Sequence, residues 1–337
     1  MSTVLIVGAG IAGLACAREL IARGHAVTVV NKGRGVGGRL ATRRIGEASF
    51  DTGAQFISAR DPAFAAVLGA AGAVPWSDGF PALTALGPAD AKDGFPRWRM
   101  PGGMNRLAKH LALGLDVRDQ RTVTGLAIDG AGWQVVVEPG DLVKTGAQAS
   151  GPAENLHADA VVLTAPAPHA VALLDRSGLP VPAAVRAVRY DPCLCLLLDF
   201  PTAEPLLTLP GGLRIEDHAA IGWIASQRRK ALRTVGEGLV VHARGPWSAE
   251  RYAWSDERIL AELLPAARAL LARFGVVAEP TTVQLKKWKF SLPTVTVPEP
   301  CVRIAAPVPL ILAGDAYGDR PRVEGAWLSG MAAAASL

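Results

Sequence analysis

Cysteine is scarce in this sequence, and the few cysteines do not form a recognisable framework. Among 337 residues there are four, Cys16, Cys193, Cys195 and Cys301. Only Cys193 and Cys195 are close together, and two residues at that spacing on a strand point to opposite faces of the sheet. The pattern excludes a disulfide-stapled secreted domain and a Cys-x-x-Cys redox pair. We therefore predict four buried thiols in a reducing compartment.

Long apolar runs are also missing, although 50% of the residues are hydrophobic. A spanning helix needs roughly 18 or more consecutive apolar residues. The best candidate, residues 159–175, is interrupted by two prolines and a histidine. The chain begins directly with an apolar strand and has no basic segment before it, so we expect no signal peptide, no membrane partner and a cytoplasmic location.

The sequence contains no pattern typical of metal or triad chemistry. Its six histidines have no metal-ligand spacing, and neither a Ser-His-Asp set nor a pair of catalytic carboxylates is evident. We predict no metal site.

Positive charge slightly exceeds negative charge, with 35 basic and 30 acidic residues. The basic residues include short runs at 42–44, 97–99, 227–230 and 286–289. Basic residues beside aromatics can bind nucleic acid, but these runs are short and dispersed. They indicate solvated faces or a cleft that attracts a small anion, and we expect no nucleic-acid partner.

A glycine-rich turn follows the first predicted strand. Residues 3–8 are an apolar run, a helical pattern follows the turn, and a second apolar strand ends at Val30. Strand, G-x-G-x-x-G, helix and strand within about 30 residues predict a dinucleotide site whose phosphates face the helix N-terminus. The residues expected there are Gly8, Gly10, Ile11, Ala12 and Gly13.

Asn31 stands where a dinucleotide site usually carries an acid for the ribose. In a nicotinamide enzyme, the loss of the acid beside Lys32 and Arg34 could indicate a preference for a 2′-phosphate. However, residues 33–39 form a second glycine-rich loop with an arginine, which such enzymes do not need and which favours FAD. A neutral hydrogen bond is weaker than a charged one, so we expect Asn31 to weaken FAD binding by about tenfold.

Several motifs resemble the flavin amine oxidase superfamily. Residues 32–44 (KGRGVGGRLATRR) and 50–56 (FDTGAQF) look like its second glycine loop and the segment after it. Within the superfamily, residues 311–315 (ILAGD) and 321–330 (PRVEGAWLSG) are most similar to renalase-like bacterial oxidoreductases. The resemblance runs in order from residue 3 to residue 337, and family members usually carry Asp or Glu at the position of Asn31.

The resemblance implies a bound FAD and assigns residues to it. Asp315 would hold a ribityl hydroxyl, and the helix after it would direct its N-terminus at the flavin. Cys301 lies in the wrong place for covalent attachment, so the FAD should be non-covalent. The implied FAD contacts are Gly8, Gly10, Ile11, Ala12, Gly13, Asn31, Lys32, Gly38, Arg39, Leu40, Gly53, Ala54, Gln55, Phe56, Val123, Gly314, Asp315, Val323, Glu324, Gly325 and Ala326.

The predicted fold class is α/β. The resemblance implies a Rossmann-like FAD-binding domain that carries an inserted, discontinuous, β-rich α+β substrate domain. The FAD-binding domain would comprise residues 1–56, 101–186 and 286–337. The substrate-binding domain would comprise residues 57–100 and 187–285.

The resemblance also implies three catalytic candidates, His242, Lys287 and Trp288, near the flavin. A renalase-like enzyme would oxidise 2- or 6-dihydro isomers of NAD(P), with O2 as acceptor and H2O2 as product. Amine oxidation is less favoured because the chain has only three tyrosines, and the aromatic pair that flanks an amine is not evident. Two alternatives stay open: an amine oxidase or isoprenoid-type desaturase, and a non-catalytic FAD-binding redox sensor. The sequence predicts no oligomeric state.

Overall fold

The computed structural model describes residues 1–89, 92–142, 147–148, 151–202, 211–232 and 235–337. The chain divides into two compact units, each made of separate segments. The first unit contains residues 1–38, 107–189 and 293–337. The second unit contains residues 39–106 and 190–292. Among the described residues, no helix is long and apolar enough to cross a membrane.

The first unit contains a six-stranded sheet that is parallel except at one edge. Its central strand is an apolar run that is buried on both faces, as expected when helices cover a parallel sheet. This arrangement confirms the α/β prediction. In order across the sheet, the strands are β21 (Val302–Arg303), β22 (Leu310–Leu312), β15 (Ala160–Leu163), β1 (Thr3–Val7), β2 (Ala26–Asn31) and β9 (Asp116–Asp119).

Two helices of the first unit pack closely on each other. Helix α1 (Ile11–Ala22) follows β1, and α8 (Val323–Ala335) ends the chain. A side chain at Gly330 of α8 would collide with the Ala12 carbonyl of α1. The small residues of α8 therefore permit a close approach to the first turn of α1. The other helices of this unit are α4 (Ala167–Arg176), α5 (Ala183–Arg186) and most of α3 (Asn105–Leu111).

A second, antiparallel sheet completes the first unit. It consists of β10 (Arg121–Asp129), β11 (Gly132–Pro139) and β14 (Glu154–Ala158). Between β11 and β14 in the chain, β12 (Asp141–Leu142) and β13 (Ala147–Gln148) form an antiparallel pair. Residues 143–146 and 149–150 of that segment lie outside the described residues.

The second unit is built on a seven-stranded sheet. Helix α7 (Asp256–Ala272) begins at Ser255, whose side chain accepts a hydrogen bond from the Arg258 backbone, and two acids follow in its first turn. In order across the sheet, the strands are β20 (Thr282–Val295), β16 (Arg189–Phe200), β19 (Glu237–Ala243), β18 (Ile221–Ser226), β17 (Gly212–Ile215), β6 (Ala82–Thr84) and β7 (Gly87–Ala89).

The alternation of side chains along the strands gives this sheet two different faces. Leu194, Leu196 and Leu198 of β16 belong to a large apolar cluster that includes Ile259 and Leu263 of α7. Cys193, Cys195 and Leu197 point the other way, to a smaller cluster with Phe50, Val240 and Trp288. All four cysteines are free, as the sequence predicts. Cys16, Cys193 and Cys195 are buried, but the prediction of a buried thiol was wrong for Cys301, which is half-buried just before the edge strand β21.

The remaining elements of the second unit are short. Helix α2 (Pro62–Ala70) begins at Asp61, whose side chain caps it, with proline in its first turn. The others are the 3-10 turn Gly38–Leu40, β3 (Thr42–Ile45), β4 (Ala48–Asp51), β5 (Val74–Gly79), β8 (Lys92–Arg99) and α6 (Gly245–Arg251).

The compact units differ from the predicted domain bounds at four segments. Residues 39–56, 101–106 and 286–292 cluster with the second unit, and residues 187–189 cluster with the first. The physical reason is packing: β3 and β4 form a hairpin whose Phe50 lies on the smaller apolar cluster of the seven-stranded sheet. Residues 286–292 are part of β20, the outer strand of that same sheet.

A buried ion pair joins two parts of the second unit. The Lys230 Nζ atom lies 2.5 Å from Asp51 Oδ2, and each side chain is only 1% exposed. Burial lowers the pKa of Lys230, whereas the Asp51 charge raises it. Asp51 Oδ1 also accepts hydrogen bonds from Thr42 Oγ1 and the Met104 backbone. The basic run 227–230 was expected on a solvated face or an open cleft, and for Lys230 this was wrong because Asp51 holds it in the interior.

Removing one partner of the buried pair should destabilise the second unit strongly. We expect Lys230→Met or Asp51→Asn to lower the free energy of unfolding by about 3 kcal/mol, because each leaves a buried group without its partner. Urea unfolding followed by tryptophan fluorescence measures this loss, since six of the eight tryptophans lie in the second unit.

The pair Arg268–Glu279 provides a matched control in the same unit, since its side chains are 45% and 64% exposed. Glu279→Gln should cost less than about 1 kcal/mol. The double variant Lys230→Met/Asp51→Asn should lose less than the sum of its two single variants, because it leaves no unpaired charge. Equal losses from the buried and the exposed single variants would contradict this interpretation.

Candidate functional site

The glycine-rich turn after β1 has the tight geometry that the sequence predicts. Gly8 has a φ of +113°, a conformation that favours glycine. A side chain at Gly13 would collide with the Gly8 carbonyl oxygen. Thr164, which follows β15, donates to the carbonyls of Val7 and Gly8 at 3.0 and 3.1 Å. Thr164, which is not part of the motif, therefore fixes the backbone of this turn through two hydrogen bonds.

The N-terminus of α1 is open in front of this turn. Its N-cap residue is Gly10, which has no side chain to cap the helix. A Cβ built there would meet nothing within 4 Å. Gly37 of the second glycine loop donates to the Ala9 carbonyl at 2.8 Å, and a Cβ at Gly38 would lie 3.8 Å from Gly10 Cα. The two loops therefore meet beside uncapped N–H groups, the arrangement that binds phosphates.

Asn31 ends β2 and already uses its amide within the protein. Its Nδ2 atom donates to Asp119 Oδ1 at 2.6 Å and to the Gly35 carbonyl at 3.1 Å. Its Oδ1 atom accepts from the Gly33 backbone at 3.4 Å. The amide therefore ties the second glycine loop to the end of β9.

Two other predicted FAD contacts lie near these strand ends along the chain. Lys32 follows β2, and burial lowers its pKa. Val123 lies on β10, where it is buried and pairs with Val137 just before an irregularity in the strand register. A register irregularity frees backbone groups from the ladder, which is consistent with a ligand contact through the Val123 backbone.

The C-terminal predicted contacts also lie in the first unit. Gly314 has a φ of +149° and donates its N–H to Ser329 Oγ at 2.8 Å. Asp315 is buried. A side chain at Gly325 would collide with the Arg320 carbonyl, so the small residue expected for flavin approach is also required by the loop before α8. Glu324 is buried and accepts from Arg320 at 3.4 Å.

Helix α8 has no side-chain cap at its N-terminus, as in α1. Val323 and Ala326 lie in its first turn, together with Glu324 and Gly325. The uncapped N–H groups of this turn favour negative charge. Together with the open turn at Gly10, they make the first unit a fit for an anionic dinucleotide such as FAD.

Other predicted FAD contacts belong to the second unit. Arg39 donates to the Phe290 carbonyl at 3.3 Å and lies over the Tyr190 ring at 5.7 Å. Leu40 is buried. A side chain at Gly53 would collide with the Arg39 carbonyl, which also accepts from the Ala54 backbone at 3.0 Å. Residues 39–40 and 53–54 are thus packed together as one segment.

His242 lies in a row of side chains across the smaller-cluster face of the seven-stranded sheet. It pairs in register with Cys195 of β16 on one side and Trp223 of β18 on the other. Residues opposite one another on neighbouring strands point to the same face. Its Nε2 atom lies 3.5 Å from Gln55 Nε2. The pKa of His242 is lowered to about 4, mainly by burial. A hydrogen bond to the Thr52 backbone raises this pKa, and the Lys230 charge lowers it.

Trp288 lies on the same face of the seven-stranded sheet as His242, whereas Lys287 does not. Trp288 donates its Nε1–H to the Thr52 carbonyl at 2.8 Å. Lys287 is the next residue on β20 and points to the opposite face, where it donates to the Trp254 carbonyl at 2.8 Å. Lys286 is the basic residue on the Trp288 side, with its Nζ atom 4.5 Å from the centre of that ring system. Because adjacent strand residues alternate faces, the two predicted catalytic candidates Lys287 and Trp288 lie on opposite faces of β20.

Several aromatic rings lie together beyond Trp223. The Phe80 ring lies 4.7 Å from Trp76, 5.0 Å from Trp223 and 5.2 Å from Phe56. Within the described part of the chain, the buried atoms Gln55 Oε1 and Trp223 Nε1 have no hydrogen-bond partner. Buried polar atoms are normally paired, so these two are candidates for contacts with a ligand.

Sequence reasoning did not find four residues that shape these sites. Thr164 and Ser329 each hold a glycine of a predicted motif, and Asp119 and Lys230 each pair with a residue far away in the chain. Thr164 could have been suspected, since it follows the strand expected next to β1. The ion pair and the Asn31–Asp119 contact carry no local signal.

The lowered pKa of His242 predicts a pH-dependent stability. Between about pH 6.5 and pH 4 the unfolded protein binds a proton that the folded protein does not, so stability should fall as the pH falls through this window. The free energy of unfolding of the wild type should therefore decrease between pH 7 and pH 4.5. We expect His242→Gln to make this decrease smaller by about 2 kcal/mol, a value that allows for solvent screening of the part-exposed ring.

Urea unfolding of both proteins at a series of pH values measures this difference, because the other titrating groups are shared. His157→Gln is the control for the loss of a histidine, because that side chain is exposed. Parallel stability profiles for the wild type and His242→Gln would show that burial does not keep His242 neutral.

Comparison with known proteins assigns the chain to a family. Residues 78–337 match the profile of flavin-containing amine oxidoreductases, and residues 6–70 match that of an NAD(P)-binding Rossmann-like domain. A 54-residue segment is 50% identical to AofH of Mycobacterium tuberculosis strain H37Rv, a candidate flavin-containing monoamine oxidase. That match covers 16% of this chain and only 12% of AofH.

Solved structures are similar over nearly the whole length. A candidate protoporphyrinogen oxidase from Exiguobacterium sp. 255-15 has a TM-score of 0.74 at 16% identity, over 99% of this chain and 98% of that chain. Putrescine oxidase bound to putrescine has a TM-score of 0.71 at 16% identity, with the same coverage. At this identity the likeness shows the fold alone. The family match covers most of the sequence: the chain belongs to the flavin-containing amine oxidoreductase family and is an FAD-dependent oxidoreductase.

Proposed function

We propose that the first unit holds FAD without a covalent bond. The glycine turn, the open N-terminus of α1 and the buried Asp315 supply the phosphate and hydroxyl contacts. Burial raises the pKa of Cys301, whereas its hydrogen bond to Ser336 lowers it. A thiol with a raised pKa is a poor nucleophile, which argues against a cysteinyl link. When bound, FAD supplies an acceptor for a hydride.

We propose further that the substrate is a 2- or 6-dihydro isomer of NAD(P). One observation carries this proposal: the buried acceptor Gln55 Oε1 and the buried donor Trp223 Nε1 lie on residues that flank His242, and neither atom has a partner among the described residues. A nicotinamide carboxamide has one donating and one accepting end, so it complements this pair. Rings such as Trp223 and Trp288 suit a flat, uncharged dihydropyridine.

The electrostatics of the aromatic cluster disfavour a protonated amine. The Arg97 guanidinium lies 5.8 Å from the centre of the Phe56 ring, and Lys230 Nζ lies 5.3 Å from Trp76. Two cations already occupy the positions from which these rings would attract an ammonium group. The nearby carboxylate, Asp51, is committed to Lys230. Arg97 is likewise paired with Asp93. With His242 uncharged at neutral pH, the cluster suits an uncharged ring better than an ammonium group.

In the proposed reaction the dihydropyridine ring loses a hydride and becomes NAD(P)⁺. O2 accepts the two electrons with two protons and gives H2O2. The preference for the 2- and 6-isomers over ordinary 4-dihydro-NAD(P)H comes from the sequence resemblance. The second candidate is an amine oxidase. It is favoured by the family and by the likeness to putrescine oxidase, and it would need the aromatic rings to bind a cation.

Anaerobic stopped-flow at the flavin absorbance band separates these functions. We expect rapid bleaching by 2- or 6-dihydro-NAD(P), slow or no bleaching by 4-dihydro-NAD(P)H, and none by monoamines or putrescine. Trp223→Phe keeps an aromatic ring, although a smaller one, and removes the N–H, so it should raise the dissociation constant of the substrate about tenfold, the worth of one buried hydrogen bond. Bleaching by amines alone would establish the amine oxidase, and no bleaching by any donor would favour the redox sensor.

Alanine substitutions at two glycines of the G-x-G-x-x-G turn, Gly10 and Gly13, should have different effects. Gly10→Ala meets no protein atom, so the apoprotein should unfold as the wild type does while FAD binding weakens at least tenfold, because the methyl group occupies space beside the phosphates. Gly13→Ala collides with Gly8 and should destabilise the apoprotein itself by about 2 kcal/mol or more.

FAD released into the supernatant by acid precipitation measures cofactor content, and urea unfolding of the apoproteins measures stability. Yellow colour that stays in the precipitated wild-type protein would contradict non-covalent binding. Normal FAD content in Gly10→Ala would show that phosphates do not lie beside this turn.

A further inference from the structure

The ribose-binding acid that is missing from the end of β2 has a structural counterpart on the neighbouring strand. Strands β2 and β9 run parallel, and Asn31 pairs in register with Asp119. The two side chains are hydrogen-bonded at 2.6 Å and both are part-buried. Neighbouring strands lie about 4.8 Å apart. The Asp119 carboxylate on β9 therefore lies one strand away from position 31, where the G-x-G-x-x-G motif predicts an acid.

The contacts of Asn31 direct its amide toward the protein. Its Nδ2 atom is used by Asp119 and by the Gly35 carbonyl, and its Oδ1 atom accepts from Gly33. The next residue after Asp119, Gln120, has a φ of +56° and donates its N–H to the Gly33 carbonyl at 2.9 Å. The end of β9 is thus fixed to the second glycine loop by side chain and backbone together.

An acid at position 31 would be unfavourable in this setting. Two carboxylates at a hydrogen-bond distance cannot both be ionised without strong repulsion. Asparagine avoids this repulsion and donates to the neighbouring carboxylate. The pair Asn31 and Asp119 therefore provides one negative charge at this sheet edge, which is the charge that the usual Asp or Glu would supply.

We propose that Asp119 is the carboxylate that binds the adenosine ribose of FAD, and that Asn31 is its positioning residue. The proposal rests on the FAD site of the first unit. Only the Oδ1 atom of Asp119 is engaged by Asn31, and the carboxylate can accept from a ribose hydroxyl through Oδ2. The ligands of dinucleotide sites bind at the carboxyl ends of parallel strands, where both residues lie. Asn31 therefore acts through Asp119, and the expected tenfold weakening of FAD binding by Asn31 does not follow.

An exchange of the two side chains tests this assignment. FAD affinity is measured by titrating apoprotein and following the quenching of flavin fluorescence. Asp119→Asn should weaken FAD about 10- to 100-fold, because a charged hydrogen bond is lost. Asn31→Asp should also weaken it, since the second carboxylate repels the first. The double variant Asn31→Asp/Asp119→Asn restores one carboxylate and one amide and should bind within about threefold of the wild type.

Two controls separate ligand binding from a structural role. Asp116 lies on the same strand and accepts from Thr28 at 2.9 Å, so Asp116→Asn should leave FAD affinity unchanged. FMN lacks the adenosine ribose, and its affinity should be unaffected by Asp119→Asn. An equal loss of FMN and FAD affinity would show that Asp119 only maintains the fold.

Other outcomes would overturn the assignment directly. Wild-type affinity in Asp119→Asn would exclude Asp119 from the ribose contact. Tighter FAD binding by Asn31→Asp would place the contact at residue 31. Failure of the FAD proposal itself is distinguishable, because then the wild type would bind neither FAD nor FMN. The substrate of the enzyme plays no part in these measurements.

Discussion

The second unit depends on one buried charge, the carboxylate of Asp51. It binds Lys230, the Thr42 hydroxyl and the Met104 backbone at the same time, which connects the β3–β4 hairpin to two other segments. The Asp51 backbone also donates to Gln227 and accepts from Gln55. The three bonds to the carboxylate compensate for the loss of water around a buried charge. The charge is therefore stabilised by segments that are far apart in the chain.

The proposed substrate-side residues follow directly from this arrangement. Thr52 is the residue after Asp51, and its carbonyl accepts from Trp288. Gln55 donates to the Asp51 carbonyl and lies beside His242. A rigid supporting network of this kind fixes the side chains around a reacting group better than a loop does. In addition, the Lys230 charge contributes to keeping His242 neutral, so the same network sets both geometry and charge.

The sequence was informative where the physics is local. The apolar run before Gly8, the helix after Gly10 and the alternation along β16 all depend on neighbouring residues, and the structure contains each of them. The bounds of the units were harder to predict from the sequence. Nothing in residues 39–56 indicates that Phe50 packs on strands that lie more than 100 residues further along the chain. Likewise, Lys287 and Trp288 are adjacent in sequence, and only the register of β20 in the sheet decides which of them shares a face with His242.

The Asn31–Asp119 pair shows the same limit more sharply. Read alone, Asn31 indicates a weakened site, since one acid is replaced by an amide. The two residues are 88 positions apart and meet only because parallel strands end at one edge of a sheet. A binding site of this kind is defined by the charge at the sheet edge rather than by the residue at one position. A substitution that looks like a loss in the motif can therefore conserve the charge, provided that the neighbouring strand supplies it in register.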